Sequence, residues 1–203
     1  MRDRRVIVAL GLVCAVGLVY AVVALLRLTR FDMTAFDAGI FDNVLWRLAH
    51  GYDDVTALTG SHHFSDHLSF LVLLFVPVYA IVPILGLPVM IVAQAASVAL
   101  VGWATWLLVD HLDLRLEQRQ AAMFVVLAGA GAYNAAVIDV HEVGLALGPL
   151  AMTVVLAMRN QRLRAYWVWP ALAAMARIDI AVSVVLIGVL LRRDRPSHAR
   201  LSM

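Results

Sequence analysis

Twenty-one consecutive residues, Val6 to Leu26, carry no charge, and the same pattern returns several times along the chain. A run of that length reaches across a hydrocarbon core of about 30 Å as a single α-helix, and other open backbone shapes would leave N–H and C=O groups unpaired there. Further apolar runs cover Leu68–Leu85, Pro88–Val109, Ala121–Ile138, Val143–Met158 and, apart from Arg177 and Asp179, Tyr166–Leu191. The pattern predicts an all-α fold, a polytopic transmembrane bundle of about five to six membrane helices, with an interfacial and a dipping helix added in the first outer loop. No repeat, linker or low-complexity stretch divides it, so residues 1–203 read as one membrane domain.

Composition narrows the classes. The chain is 63% hydrophobic and 15% charged, with a mean hydropathy of +0.88. This excludes a nucleic-acid-binding module, a disulfide scaffold and a disordered tail. The single cysteine, Cys14, permits no intrachain disulfide. The first run is longer than a signal-peptide core and lacks a small-x-small cleavage site, so it reads as a retained helix.

All 16 basic residues are arginine, and their distribution reports topology. With the N-terminus inside and Leu68–Leu85 dipping without crossing, 12 arginines face the cytoplasm and only Arg27, Arg30, Arg47 and Arg177 lie outside or at depth. Full crossing by Leu68–Leu85 reaches the same score only with Arg2, Arg4 and Arg5 outside, against the usual dominance of the first helix. Pro77 and Pro83 also suit a broken, re-entrant or juxtamembrane helix. Residues 166–191 read as a hairpin turning at Arg177–Asp179, or as one long span. The expected location is the bacterial inner membrane, with the N-terminus cytoplasmic and the bilayer as the constant partner.

This topology gathers the polar residues on one face. Arg30–His67 holds six of the twelve aspartates and four of the seven histidines, and Asp139-Val-His-Glu142 and Arg177–Asp179 fall on the same side. Ionisable groups at membrane depth are costly and mark sites by default, although loops are also polar simply because they meet water. Within Asp37–His50, Ile40, Phe41, Val44, Leu45 and Leu48 share one side of a helix, with Asp42, Asn43, Arg47 and His50 opposite and Trp46 as an interfacial anchor. Asp37 then falls at the N-cap, where it serves as a general base on an acceptor or merely as a cap. His62, His63, Asp66 and His67 have no cysteine partner, and clustered loop histidines are surface groups more often than ligands, so no metal is assigned to them. His67 suits a contact to a lipid phosphate. Arg177 either pairs with Asp179 or binds a phosphate bidentately.

Four segments together resemble the domain-of-unknown-function 2079 family of predicted membrane proteins. Phe36-Asp-Ala-Gly-Ile-Phe-Asp-Asn43 with Leu45-Trp46 is similar to its F-D-x-G-I-F-D-Q-x-L-W opening, and Asp66-His-Leu-Ser69 with Pro77-Val-Tyr79 to its D-H-F-S-P…P-L-Y segment. Asp139-Val-His-Glu142 is similar to its D-F-H-P-E, and Arg177-Ile-Asp179 to its K-E-D. The proline of the third motif is absent, Lys-Glu is replaced by Arg-Ile, and Ser-Pro by Ser69-Phe70. The resemblance implies a GT-C-like integral-membrane glycosyltransferase using a polyprenyl-phosphate-linked sugar on the outer side. It assigns Asp37 as base, His67 and Arg177 as phosphate contacts, and His141, Glu142 and Asp179 as cleft residues. Asp32, Asp42, Asp66 and Asp139 are secondary candidates. No cofactor is assigned. Members of that family are longer, so the resemblance implies that this chain covers an N-terminal part. The rival readings are a transporter-like or lipid-handling protein, a structural subunit, and an inactive fragment.

Overall fold

The computed structural model describes residues 2–33, 35–66, 68–159 and 164–193. It is built from helices: α1 (Arg2–Thr29), α2 (Ala35–Ala49), α3 (His63–Asp66), α4 (Val76–Ile81), α5 (Gly86–His111), α6 (Leu116–Ala128), α7 (Ala130–Val137), α8 (Glu142–Met158), α9 (Val168–Ala174) and α10 (Ile178–Arg193). Short 3-10 turns precede α4, α5 and α9. Among the described residues there is no strand, only an antiparallel bridge between Val55 and His62 that pins the loop after α2.

By length and composition two helical stretches, Arg4–Thr29 and Pro83–His111, suffice to cross a membrane. The pair α6–α7 makes a third if its 48° bend lies within one span. Among the described residues, two or three helices of crossing length thus stand where the apolar runs led to an expectation of five to six membrane helices. The run 143–158 forms a 17-residue helix, about 25 Å long. Leu68–Leu85 is broken into a 3-10 turn (Phe70–Phe75), α4 and a second 3-10 turn (Pro83–Leu85), with Pro77 and Pro83 at first-turn positions where a missing N–H costs nothing. The run 166–191 breaks at Met175–Arg177, between α9 and α10.

Helix α5 is the axis of the bundle, packed along α8, α1 and α6. Chain directions follow from the core. Ala9 and Val13 of α1 cluster with Trp106 late in α5, whereas Ala24 clusters with Met90 and Ile91 early in it, so the two run antiparallel. Met123 of α6 joins Trp106 and Val137 of α7 joins Ala95, so α6–α7 returns along α5. Helix α8 runs parallel to α5, from Leu145 beside Met90 to Leu156 beside Ala104. The segment 166–176 climbs back from the Ala104 cluster to the Met90 cluster. Outward residues such as Ile7, Leu18, Phe124, Val125 and Val185 are exposed and apolar, as lipid contact requires.

Polar side chains repair two defects in these apolar helices. Pro149 has no N–H, which leaves the Leu145 carbonyl without its helical partner. Ser97 of α5 donates to that carbonyl at 2.8 Å and accepts from Gly148 N at 3.0 Å. At the α6–α7 bend the Leu127 carbonyl is freed, and the Tyr20 hydroxyl donates to it.

Candidate functional site

The end of the bundle where α1 stops and α8 starts collects the sequence motifs. One apolar cluster contains Ala38 and Phe41 of α2, Leu71 and Tyr79, Val140 from the α7–α8 connection, and Ala176 from the α9–α10 break. Ala38, Phe41, Val140 and Ala176 stand next in sequence to Asp37, Asp42, His141 and Arg177. The break is tied in directly, because Leu71 N donates to Met175 O at 2.7 Å.

Glu142 lies at the centre of the polar part. Its side chain is 2% exposed although it opens α8. Oε2 stands 3.1 Å from His141 Nδ1 and Oε1 stands 3.6 Å from Arg177 Nη1. Oε1 has no hydrogen-bond partner, so the arginine reaches it as a charge rather than as a donor. His141 Nδ1 also faces Val143 N at 3.3 Å and caps the helix. One ring nitrogen cannot accept from Val143 and donate to Glu142 at once, so the position of a single proton selects between the two bonds. Arg177 Nε donates to Asp179 Oδ1 at 3.1 Å. His141, Arg177 and Asp179 are 42%, 34% and 63% exposed, so a buried carboxylate is rimmed by groups that meet the surroundings.

This rim is held by a residue that sequence reasoning missed. Gln94 of α5 is buried, donates to the Asp139 carbonyl at 2.6 Å and accepts from His141 N at 2.8 Å. Both amide ends therefore clamp the turn carrying Asp139 and His141. Gly144 makes room for the clamp, since a Cβ there would sit 2.7 Å from Gln94 Cδ. A legible signal existed: Gln94 and Ser97 are polar residues three apart inside an apolar span, a spacing that places them on one helix face.

The other motif residues distribute as follows. Asp37 lies in the first turn of α2, half-buried, rather than at its N-cap, because the helix already begins at Ala35. Asp42 turns inward, contrary to the face expected for it, and accepts from the buried Tyr79 hydroxyl at 2.8 Å. The aromatic body of Tyr79 needs burial and its hydroxyl needs an acceptor, which draws Asp42 to that side. Asp32 is exposed and 3.6 Å from Arg27, at the turn ending α1. Asp139 Oδ1 accepts from Val140 N at 2.7 Å. Asp66 closes α3, and His67 lies outside the described residues.

The two remaining loop histidines serve the local structure. His62 Nδ1 pairs with Asp54 Oδ1 at 2.6 Å, and Asp54 Oδ2 accepts from Phe64 N at 2.9 Å. The hydrogen bond from His62 holds the Asp54 carboxyl below its usual range, and the same bond holds the His62 imidazole above its own. His63 is buried, its Nε2 2.9 Å from Ser69 Oγ and its ring edge-on to Phe41 and Phe64. Trp46 stacks on His50 and Tyr52 at the end of α2.

Apolar outward faces, helices of crossing length and a polar knot at one end together define a helical membrane protein. Residues 27–202 match the family described as "Predicted membrane protein (DUF2079)", and the chain belongs to that family. No curated protein and no solved structure matches the chain.

Proposed function

We propose that this chain is a GT-C-like glycosyltransferase component that transfers a sugar from a polyprenyl-phosphate donor to an extracytoplasmic acceptor at the inner membrane, with the N-terminus cytoplasmic. The observation that carries the reading is the convergence of Glu142, His141 and Arg177 around one buried carboxylate, beside the helix that bears Asp37. In this reading the acceptor hydroxyl attacks the anomeric carbon and the bond from that carbon to the phosphate oxygen breaks. Its electron pair stays on the phosphate, and the hydroxyl proton passes to Asp37. Arg177 and His67 neutralise the departing phosphate, while His141, Glu142 and Asp179 line the cleft and Arg177 is kept in place by Asp179.

The test is transfer of labelled sugar from a polyprenyl phosphate by the protein in liposomes. Asp37→Asn is expected to lower turnover by about 10²–10⁴-fold, the usual worth of a positioned general base. Unchanged turnover in that variant removes Asp37 from the mechanism. A second reading, a non-catalytic membrane subunit, draws support from the internal pairing of Arg177 with both Asp179 and Glu142. It predicts that wild type and variant alike transfer no sugar.

A further inference from the structure

At the opposite end of the bundle α1 and α6 begin while α5 and α8 end, and two cavities adjoin there. The larger, about 630 Å³, is lined by Arg5, Arg115, Arg119 and Arg159 together with Asp110 and Asp113, an excess of two positive charges. Two of the arginines are occupied. Arg119 pairs with Asp110 and lies over the Trp106 ring, 5.9 Å from its centroid. Arg159 reaches Asp110 at 3.4 Å and donates to the Leu107 carbonyl at 2.9 Å. Arg5 and Arg115 are exposed, as is Asp113, so these three leave one positive charge, and the two arginines that share Asp110 leave the other.

The second cavity, about 300 Å³, shares Arg5, Trp106 and Leu116 with the first and continues between α1 and α6 along Val8, Leu12 and Met123. That stretch of α1 belongs to a helix long and apolar enough to span the membrane. A cationic chamber at the helix ends therefore opens into an apolar groove running along the span. Inorganic phosphate satisfies only the chamber and a neutral lipid satisfies only the groove. A ligand satisfying both carries an anionic phosphate head on an acyl chain. Basic recesses at helix ends with a tryptophan at the interface suit this chemistry.

We propose that this end of the molecule is a binding site for an anionic phospholipid, with the headgroup phosphate between Arg5 and Arg115 and one acyl chain along Leu12 and Met123. The site lies at the end of the bundle remote from Glu142 and does not depend on the reaction proposed there.

Native mass spectrometry of the detergent-purified chain tests it, with phosphatidylglycerol, phosphatidylcholine and inorganic phosphate as probes. Phosphatidylglycerol is expected to be retained in preference to phosphatidylcholine, and to survive millimolar inorganic phosphate. Arg5→Gln with Arg115→Gln is expected to weaken retention about 25-fold, and Arg115→Gln alone about fivefold, from the usual contribution of one arginine near an anionic headgroup. Leu12→Trp, which fills the groove, is expected to weaken phosphatidylglycerol binding with both arginines intact. If the double variant does not elute as the wild type, the single variant decides. Equal retention of the two lipids, unchanged retention in the Arg115→Gln chain, or full displacement by inorganic phosphate overturns the proposal.

Discussion

The two ends of the bundle handle charge in opposite ways. Where α8 starts, Glu142 is buried and each charged neighbour points toward it or holds one that does, so the charges close on themselves across two backbone breaks. Where α8 ends, Asp110 gathers Arg119 and Arg159 while Arg5 and Arg115 stay exposed. The first arrangement makes a rigid, specific knot. The second leaves surplus charge for a ligand. A buried ion is costly unless its partners remain in place, whereas an exposed arginine is solvated either way.

The sharpest way to break this contrast is to remove one cation from each end. Arg177→Leu strands the Glu142 carboxylate, and the loss is expected to be about 2–3 kcal/mol, below the full figure for a buried pair because Arg177 is a third exposed. Arg115→Gln is expected to cost less than about 0.5 kcal/mol, as for exposed charges generally. Thermal unfolding in detergent measures both. Equal losses would erase the distinction between the ends.

A smaller effect sharpens the account of the closed end. Gly144→Ala drives a Cβ into Gln94 and must release one or both of its bonds to Asp139 and His141. A cost of about 1–3 kcal/mol is expected, the range for overpacking. The amides of residues 139–141 should exchange faster than those of α6, which keeps its own packing. Uniform acceleration through the whole chain would show that the clamp is not local.

The smallest expected effect concerns pH. Arginine does not lose its proton, so the Arg–Asp pairs contain a single titrating partner. The loop beside the closed end contains His62 opposite Asp54. His62 is raised from its ordinary 6.5, so its contribution is complete below that value and lost as pH rises through the folded-state pKa. Asp54 is lowered from 3.8, so its contribution is complete above that value and lost as pH falls through the folded-state pKa. Protection of the Phe64 amide, which donates to Asp54, is therefore expected to be greatest between about 3.8 and 6.5. Protection that keeps rising above that window would sink the pairing.

Much of this architecture can be read directly from residue order. Val6–Leu26 and Pro88–Val109 carry no charge over a length that spans a bilayer, so helix α1 and the long α5 were inevitable once a bilayer is the solvent. The 3.6-residue spacing of Phe41, Val44 and Leu45 marked the buried stripe of α2 correctly, and all three are buried. The grouping of His141-Glu142 with Arg177 and Asp179 was legible as well, because short polar knots between apolar runs fall at helix ends. Periodicity names a helix face but not its neighbour. It assigned Asp42 to the polar side, whereas the hydroxyl of Tyr79, 37 residues later, turned that carboxylate inward.

Residue order alone thus determined the solvent of this chain, its helical class and which polar residues fall at the helix ends, because apolar run length and backbone hydrogen bonding leave little choice in hydrocarbon. Only the tertiary structure decided that Glu142 is the buried member of its cluster, that Gln94 and Ser97 hold α8 in register, and that a cationic chamber meets an apolar groove at the far end. These outcomes depend on which helix lies beside which, and close packing between helices distant in sequence sets that.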